Sequence, residues 1–348
     1  MTGDDVSGGD GTGDAVRPAP AGRTPSDDEP VLPTHLPHPR TRDGDERRVG
    51  VEVEFGHLAE HRAAEILARR MGGTARASGT REQTVAVPDL GEFRVYLDTR
   101  YRHTVASLLG DTGIDLARLV VPVELVTPPL SPARLPDLDR VLQDFAEAGA
   151  QGTTDGLLLG FGVHLNVAVR GLDVADLWPV MQAFAFLEDW IRRSDPIDVA
   201  RRTLPFVAHW PRTLTDRLAG DPPKDADALV ALCLERMPSR NHSLDLMPVL
   251  AMLDEGRVRR TAREPLAISA RPAWHYRLPD CRLDDPSWSV AWEWNKWVLV
   301  EEVAARDDLL ETLAARWRRH RSSWPGTRRQ WADAVDGMVA EVFGGAGG

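Results

Sequence analysis

Glu52 and Glu54 stand two residues apart in the run Val49-Gly50-Val51-Glu52-Val53-Glu54-Phe55. Apolar and polar residues alternate there, which predicts a β-strand with both carboxylates on one face. No Lys or Arg lies between them, so each charge opposes ionisation of the other unless something positive sits close by. A divalent cation with oxygen ligands meets that need. An edge strand showing two acids to water has the same pattern, so the rest of the chain must decide. A second polar pair at the same spacing, His164 and Asn166, lies in the strand-like stretch Phe161 to Val169, and Glu124 sits among Val121, Val123 and Leu125.

The elements that must position these groups are legible as periods and caps. Helical spacing through Ala63, Ile66, Leu67 and Arg70 predicts a helix from Ala59 to Met71, closed by Gly72-Gly73. Thr84 to Val87 and Gly91 to Asp98 read as two strands joined by a turn at Pro88, with Arg94, Tyr96 and Asp98 on one face. Leu119 to Val126 reads as another strand. Ser131-Pro132 announces a helix to about Ala148, and Asp173 is placed to cap a long helix ending near Arg193. Residues 212 to 255 read as helical with breaks at Pro222-Pro223 and Pro238, and Trp274 to Leu278 as a short late strand. The runs Trp288 to His320 and Trp324 to Phe343 read as helices. Strands early and helices late predict an α+β fold, a mostly antiparallel sheet with helices on one face. The other face would gather Glu52, Glu54, Arg94, Asp98, Glu124, His164 and Asn166.

Composition sets outer limits. The 348 residues are 42% hydrophobic and 27% charged, and the net charge of −11 argues against a nucleic-acid partner. Residues 1–46 are rich in Gly, Pro, Asp, Ser and Thr and read as a disordered tail, 47–343 as the domain and 344–348 as a flexible end. Cys233 and Cys281 form no metal-binding spacing. No apolar run spans a membrane and no signal segment is visible, so the cytoplasm is the expected compartment. The absence of a P-loop or a Gly-x-Ser-x-Gly turn leaves a Walker-type ATPase and a serine hydrolase unsupported.

Six segments carry a resemblance: GVEVEF at 50–55, EFRVYLD at 92–98, VELVTPPL at 123–130, GFGVHLN at 160–166, RPAWHYRLPDC at 271–281 and WSVAWEWNKW at 288–297. Together they resemble the amidoligase family, grouped with glutamine synthetase and glutamate–cysteine ligase among the carboxylate–amine ligases. The resemblance implies a glutamine synthetase-like sheet whose acidic, histidine-bearing face holds ATP and Mg²⁺ or Mn²⁺. It implies Glu52, Glu54, His164 and His275 as metal ligands, with Gly160, Gly162, His164 and Asn166 beside the nucleotide. His275 stands where glutamine synthetases carry a glutamate in a Glu-x-Arg-x-Pro-Asp run, which leaves the metal count open.

Joining a carboxylate to an amine in water needs activation, here as an acyl phosphate made at the expense of ATP. That transfer depends on charge neutralisation and bidentate clamping more than on covalent help. Arg240, Arg271 and Arg277 are the candidate clamps, Arg240 with the cofactor and the other two among the catalytic groups. Glu124 or Asp98 is the candidate base for the attacking amine. The expected partners are a carboxylate and an amine, each a small molecule or a peptide, and the resemblance allows a homo-oligomer. Two other readings stand beside it: a nucleotide- or ligand-binding homologue without turnover, and a metal-dependent amide hydrolase on the same face. Lys296 reads as a surface lysine lying along indoles, the tryptophans as core, Cys281 as an ordinary buried thiol, and His57, His61 and His103 as structural or exposed.

Overall fold

Strict alternation puts Val49, Val51, Val53 and Phe55 wholly out of solvent in the computed structural model, and the strand they form, β1 (Val49–Phe55), lies inside the sheet. The structure describes residues 31–98, 121–153, 160–203, 205–264, 268–323 and 326–340. His103, the first part of the run from Leu119, and the chain ends 1–30 and 341–348 fall outside that description.

After β1 come α1 (Glu60–Met71), β2 (Thr74–Gly79), β3 (Glu82–Val87), β4 (Gly91–Leu97) and β5 (Val123–Val126). They are followed by α2 (Leu135–Glu147), β6 (Val163–Ala168), α3 (Val174–Ser194), α4 (Val199–Thr203), α5 (Arg212–Leu218) and α6 (Ala226–Arg236). The chain continues through β7 (Leu244–Asp245), α7 (Met247–Thr261), β8 (Ala273–Tyr276), α8 (Val290–Ala304), α9 (Asp307–Ser322) and α10 (Arg328–Val339). The strands form one sheet in the order β2-β3-β4-β5-β1-β6-β8-β7, every neighbouring pair antiparallel.

Helix packing follows the apolar stripes. Gly72, at φ +69°, closes α1 in the left-handed conformation that glycine adopts without strain. Phe55 of β1 meets Phe145 of α2, and Trp274 and Tyr276 of β8 meet Trp297 of α8. The Trp274 and Trp297 indoles are core, as their positions imply. Two expected devices differ in detail. Ser131 precedes a short 3-10 turn (Pro132–Arg134) that leads into α2, and Asp173 holds the cap position of α3 without a side-chain cap bond.

Polar contacts then fix which segments meet. The Arg47 guanidinium, buried just before β1, pairs bidentately with Glu301 of α8 at 2.6 and 2.7 Å. Asp139 of α2 accepts the Val290 and Ala291 amides of α8 at 2.6 and 3.3 Å, and the Ser289 hydroxyl accepts that of Trp292. One carboxylate from another helix thus satisfies two of the four orphan donors at that helix start. Asp139→Ala is expected to cost about 2 kcal/mol, read as a lower urea midpoint at unchanged slope. A midpoint equal to wild type would assign the capping to Ser289 alone.

Several expectations shift. Strand β2 was not foreseen, because Thr74–Gly79 is an almost wholly exposed edge with no apolar alternation to betray it. Strand β7 has two residues, too few to show a period. The stretch read as the end of the tail is instead packed: Leu36 is buried, Thr34 donates twice to Asn295 Oδ1, and Trp294 donates to the Thr34 carbonyl. Lys296 is buried rather than superficial, held by Asp195 and Glu293, because α8 is covered on both sides. Cys233 and Cys281 are buried free thiols, pushed up to about 12 in the first case by burial alone. No helix among the described residues is long and apolar enough to cross a membrane.

Candidate functional site

Antiparallel register brings the polar positions of six strands into rows. Glu54 lies opposite Glu124, and Glu124 opposite Tyr96. One rung along, Glu52 lies opposite His164, while Gly50 faces Asn166, Asn166 faces His275 and His275 faces Asp245. The strands therefore present one continuous polar field centred on Glu52.

Glu52 is the hub of that field. Its Oε1 accepts from Asn166 Nδ2 at 2.9 Å, and its Oε2 lies 2.9 Å from His164 Nδ1. Arg271 Nη2 donates to Asn166 Oδ1 at 2.5 Å and stands 3.8 Å from Glu52 Oε1. His275 Nε2 lies 3.8 Å from Glu52 Oε2, too long for a hydrogen bond. Burial alone would raise the Glu52 carboxyl, but the bond from His164 and the nearness of His275 hold it well below the usual range. His164 is lowered to about 3, chiefly by burial, and so is neutral at physiological pH. Glu52 is the anion of the cluster and His164 donates to it.

Glu54 and Glu124 are both pushed up. Glu54 is raised to about 7 by burial, against the amide of Gly162, which donates to its Oε2 at 2.8 Å, and the charges of Arg201 and Arg277. Glu124 is raised well above the usual value by burial and then by the charges of Glu52 and Glu54, while its Oε2 accepts from the Tyr96 hydroxyl at 2.8 Å. Asp98, at the end of β4, adds negative charge to both.

The state of Glu54 has a measurable consequence. The folded chain holds a proton from about pH 4.5 to about 7 that the unfolded chain has released, so stability falls as pH rises through that window. Glu54→Gln keeps an acceptor for Gly162 without the titration. In metal-free protein at pH 8 it is expected to be more stable than wild type by about 3 kcal/mol. Equal pH dependence of the urea midpoints in both proteins would place that proton elsewhere.

The three arginines singled out in sequence gather near the β8 end of the field. Arg240 Nε lies 3.4 Å from Asp245 Oδ2, and Arg277 Nη1 donates to the Arg240 carbonyl at 3.0 Å. Arg277 is buried and lowered to about 10 by burial and then by the charge of Arg240. Its guanidinium carbon lies 5.8 Å from the Phe206 ring centre. Arg271 is the most exposed of the three, with a third of its side chain accessible.

One ligand atom from each of Glu52, His164 and His275 lies within 4.8 Å of the others, the only such group of three among the described residues. His275 Nε2 is buried and makes no hydrogen bond, which is costly for an imidazole unless a Lewis acid takes the lone pair. The donor set therefore fits a divalent cation. Glu54, expected in the same set, lies outside that trio and is engaged with the Gly162 amide. Gly160 is buried. The space above Gly162 belongs to the protein itself: a Cβ there would clash with the Arg201 guanidinium.

Sequence reasoning missed two residues that shape this face, Arg201 and Asp245, and the bond made by a third, Tyr96. Arg201 is buried and donates to the carbonyls of Arg277, Leu278 and Pro279 and to Asp280 Oδ1. Asp245 accepts from or pairs with His275 Nδ1 at 3.2 Å. Tyr96 was placed on the correct face, yet its bond to Glu124 needs the β4–β5 register. Arg201 and Asp245 lie in segments with no period or motif to mark them.

The class these features define is an α+β protein with a buried His–His–carboxylate cluster and converging arginines on one face of an antiparallel sheet. Residues 45–299 match the family described as "Putative amidoligase enzyme", and the chain belongs to that family of ligase-type enzymes. No curated protein and no solved structure matches it.

Proposed function

We propose that this chain is an ATP-dependent carboxylate–amine ligase with a glutamine synthetase-like fold, requiring Mg²⁺ or Mn²⁺. It would form an amide or peptide-like bond on a small molecule or peptide through an acyl phosphate. The observation that carries the reading is the convergence of the Glu52–His164–His275 cluster with Arg240, Arg271 and Arg277 on one sheet face. Phosphoryl transfer calls for that combination of charges.

Glu52, His164 and His275 would hold the cation, which when bound supplies charge neutralisation at phosphate oxygens. Arg271, partly exposed and anchored on Asn166, is placed to clamp a carboxylate or phosphate with its remaining donors. Arg277, in low dielectric, adds a fixed positive charge, and Gly160 with Arg240 would lie beside the nucleotide. Glu124 is the better choice of proton acceptor over Asp98. Burial and the charges of Glu52 and Glu54 raise its affinity for a proton, and the Tyr96 hydroxyl orients it.

The test is a screen of carboxylate–amine pairs for ADP and phosphate release with Mg²⁺ or Mn²⁺. ADP formed in step with an amide product supports the reading; tight nucleotide binding with no turnover on any pair removes it. A second reading rests on the donor set itself, since two histidines and a glutamate are also the ligands of zinc-dependent amide hydrolases. Amide cleavage with metal and without ATP would select it.

A further inference from the structure

His275 brings a second imidazole, beside His164, to a face whose other candidate ligands are carboxylates. It is 2% exposed, and its two ring nitrogens face different neighbours. Nδ1 lies 3.2 Å from Asp245 Oδ2, and Nε2 lies 3.8 Å from Glu52 Oε2 with no hydrogen bond of its own. An ionised carboxylate only accepts, so the Asp245 contact places the ring proton on Nδ1 and leaves the Nε2 lone pair aimed at the cluster. A proton on Nε2 instead would be a buried donor with no acceptor in range.

Asp245 is itself held in place. Its Oδ1 accepts from the Met247 amide at 2.9 Å, and Arg240 Nε lies 3.4 Å from its Oδ2. The His164 ring meets the His275 ring edge-on with centroids 5.3 Å apart, so the second imidazole borders the same space. The resulting donor set is two imidazoles and one carboxylate, with a second carboxylate behind one of the imidazoles. Mg²⁺ prefers oxygen donors and keeps several waters, whereas imidazole suits the borderline transition ions. A carboxylate behind a ligating histidine fixes its tautomer and raises its basicity.

We propose that Asp245 is a positioning residue for His275, and that this pair makes the cluster select a first-row transition ion, Zn²⁺ or Co²⁺ ahead of Mn²⁺, over Mg²⁺. The inference rests on the reading that Glu52, His164 and His275 hold a cation; it does not depend on which reaction follows.

The experiment uses the full-length, metal-free protein and each metal alone, without nucleotide. Calorimetric titration is expected to give affinities in the order Zn²⁺ above Co²⁺ above Mn²⁺, with Mg²⁺ roughly a hundred-fold weaker than Mn²⁺. Bound Co²⁺ is expected to show a visible ligand-field spectrum. Asp245→Asn should weaken Co²⁺ and Zn²⁺ roughly 10- to 100-fold and alter that spectrum while the melting curve stays cooperative. The double variant Asp245→Asn/His275→Glu, which moves the carboxylate into the cluster, should shift the Mg²⁺-to-Zn²⁺ affinity ratio at least tenfold toward Mg²⁺. Wild-type protein that binds Mg²⁺ as tightly as Mn²⁺, or binds none of these ions, overturns the inference, as does an unchanged Co²⁺ spectrum and affinity in Asp245→Asn. If that variant does not fold, the wild-type order alone decides. The expected metal order without any ADP release overturns the ligase reading only; ADP release with Mg²⁺ preferred overturns this inference only.

Discussion

Glu52→Gln is expected to lower metal-nucleotide binding and ADP release by roughly 10²–10³-fold, the largest functional loss from any single change in the chain. Glu52 is the only member of the trio that supplies negative charge, and both of its oxygens are already committed as acceptors, to Asn166 and His164. Glutamine offers one acceptor and one donor group. The donor must then face either the Asn166 amide or the His164 Nδ1–H, and Asn166 is kept from flipping by Arg271 on its Oδ1. Charge and local geometry go together. The stability that Glu52 contributes, present above about pH 4.5 and lost as pH falls through its lowered folded value, is removed as well. A melting curve therefore accompanies the calorimetry, with Mg²⁺-ATP and Mn²⁺-ATP as titrants. Folded variant that binds as wild type does would remove Glu52 from the site.

Arg201→Met is expected to destabilise the fold by about 3–5 kcal/mol. The Arg201 guanidinium accounts for the carbonyls of Arg277, Leu278 and Pro279 at 2.6, 2.7 and 2.6 Å, and pairs with the buried Asp280 at 3.0 Å. Methionine fills much of the volume and leaves the Arg277 and Leu278 carbonyls without their donor, while Pro279 keeps the Val163 amide and Asp280 keeps the Asp198 amide and, at 3.9 Å, Arg282. The segment that Arg201 pins is the one that carries Arg277 out of β8, so a loss of affinity for anionic ligands is expected alongside. Arg201→Lys keeps the charge but cannot span four acceptors, and should recover only a part of the loss. A urea-derived difference below about 1 kcal/mol would mean that water enters and satisfies these carbonyls.

Much of the site was legible because a strand repeats every two residues. Alternation in 49–55 assigns Glu52 and Glu54 to one face and the valines to the other. The same rule pairs His164 with Asn166, and places Tyr96 with Asp98 opposite Val95 and Leu97. Glycine and proline marked most helix ends. What period cannot encode is which strand lies beside which. The contact of Glu52 with His164 joins residues 112 apart in sequence, and register alone decides it.

The sequence by itself determined the central strand, the polar face and the residue types able to hold a cation and anions there. The tertiary structure alone decided that His275, rather than Glu54, completes the trio with Glu52 and His164, and that Asp245 stands behind it from a strand of two residues. It also decided that Arg201 occupies the space above Gly162, and that Lys296 is buried between Asp195 and Glu293. The reason is common to all of these. Hydrophobic patterning fixes which side of an element turns inward, while the partner of a buried polar group is set by the chain that happens to be brought across it, and short or aperiodic segments carry no local mark of that encounter.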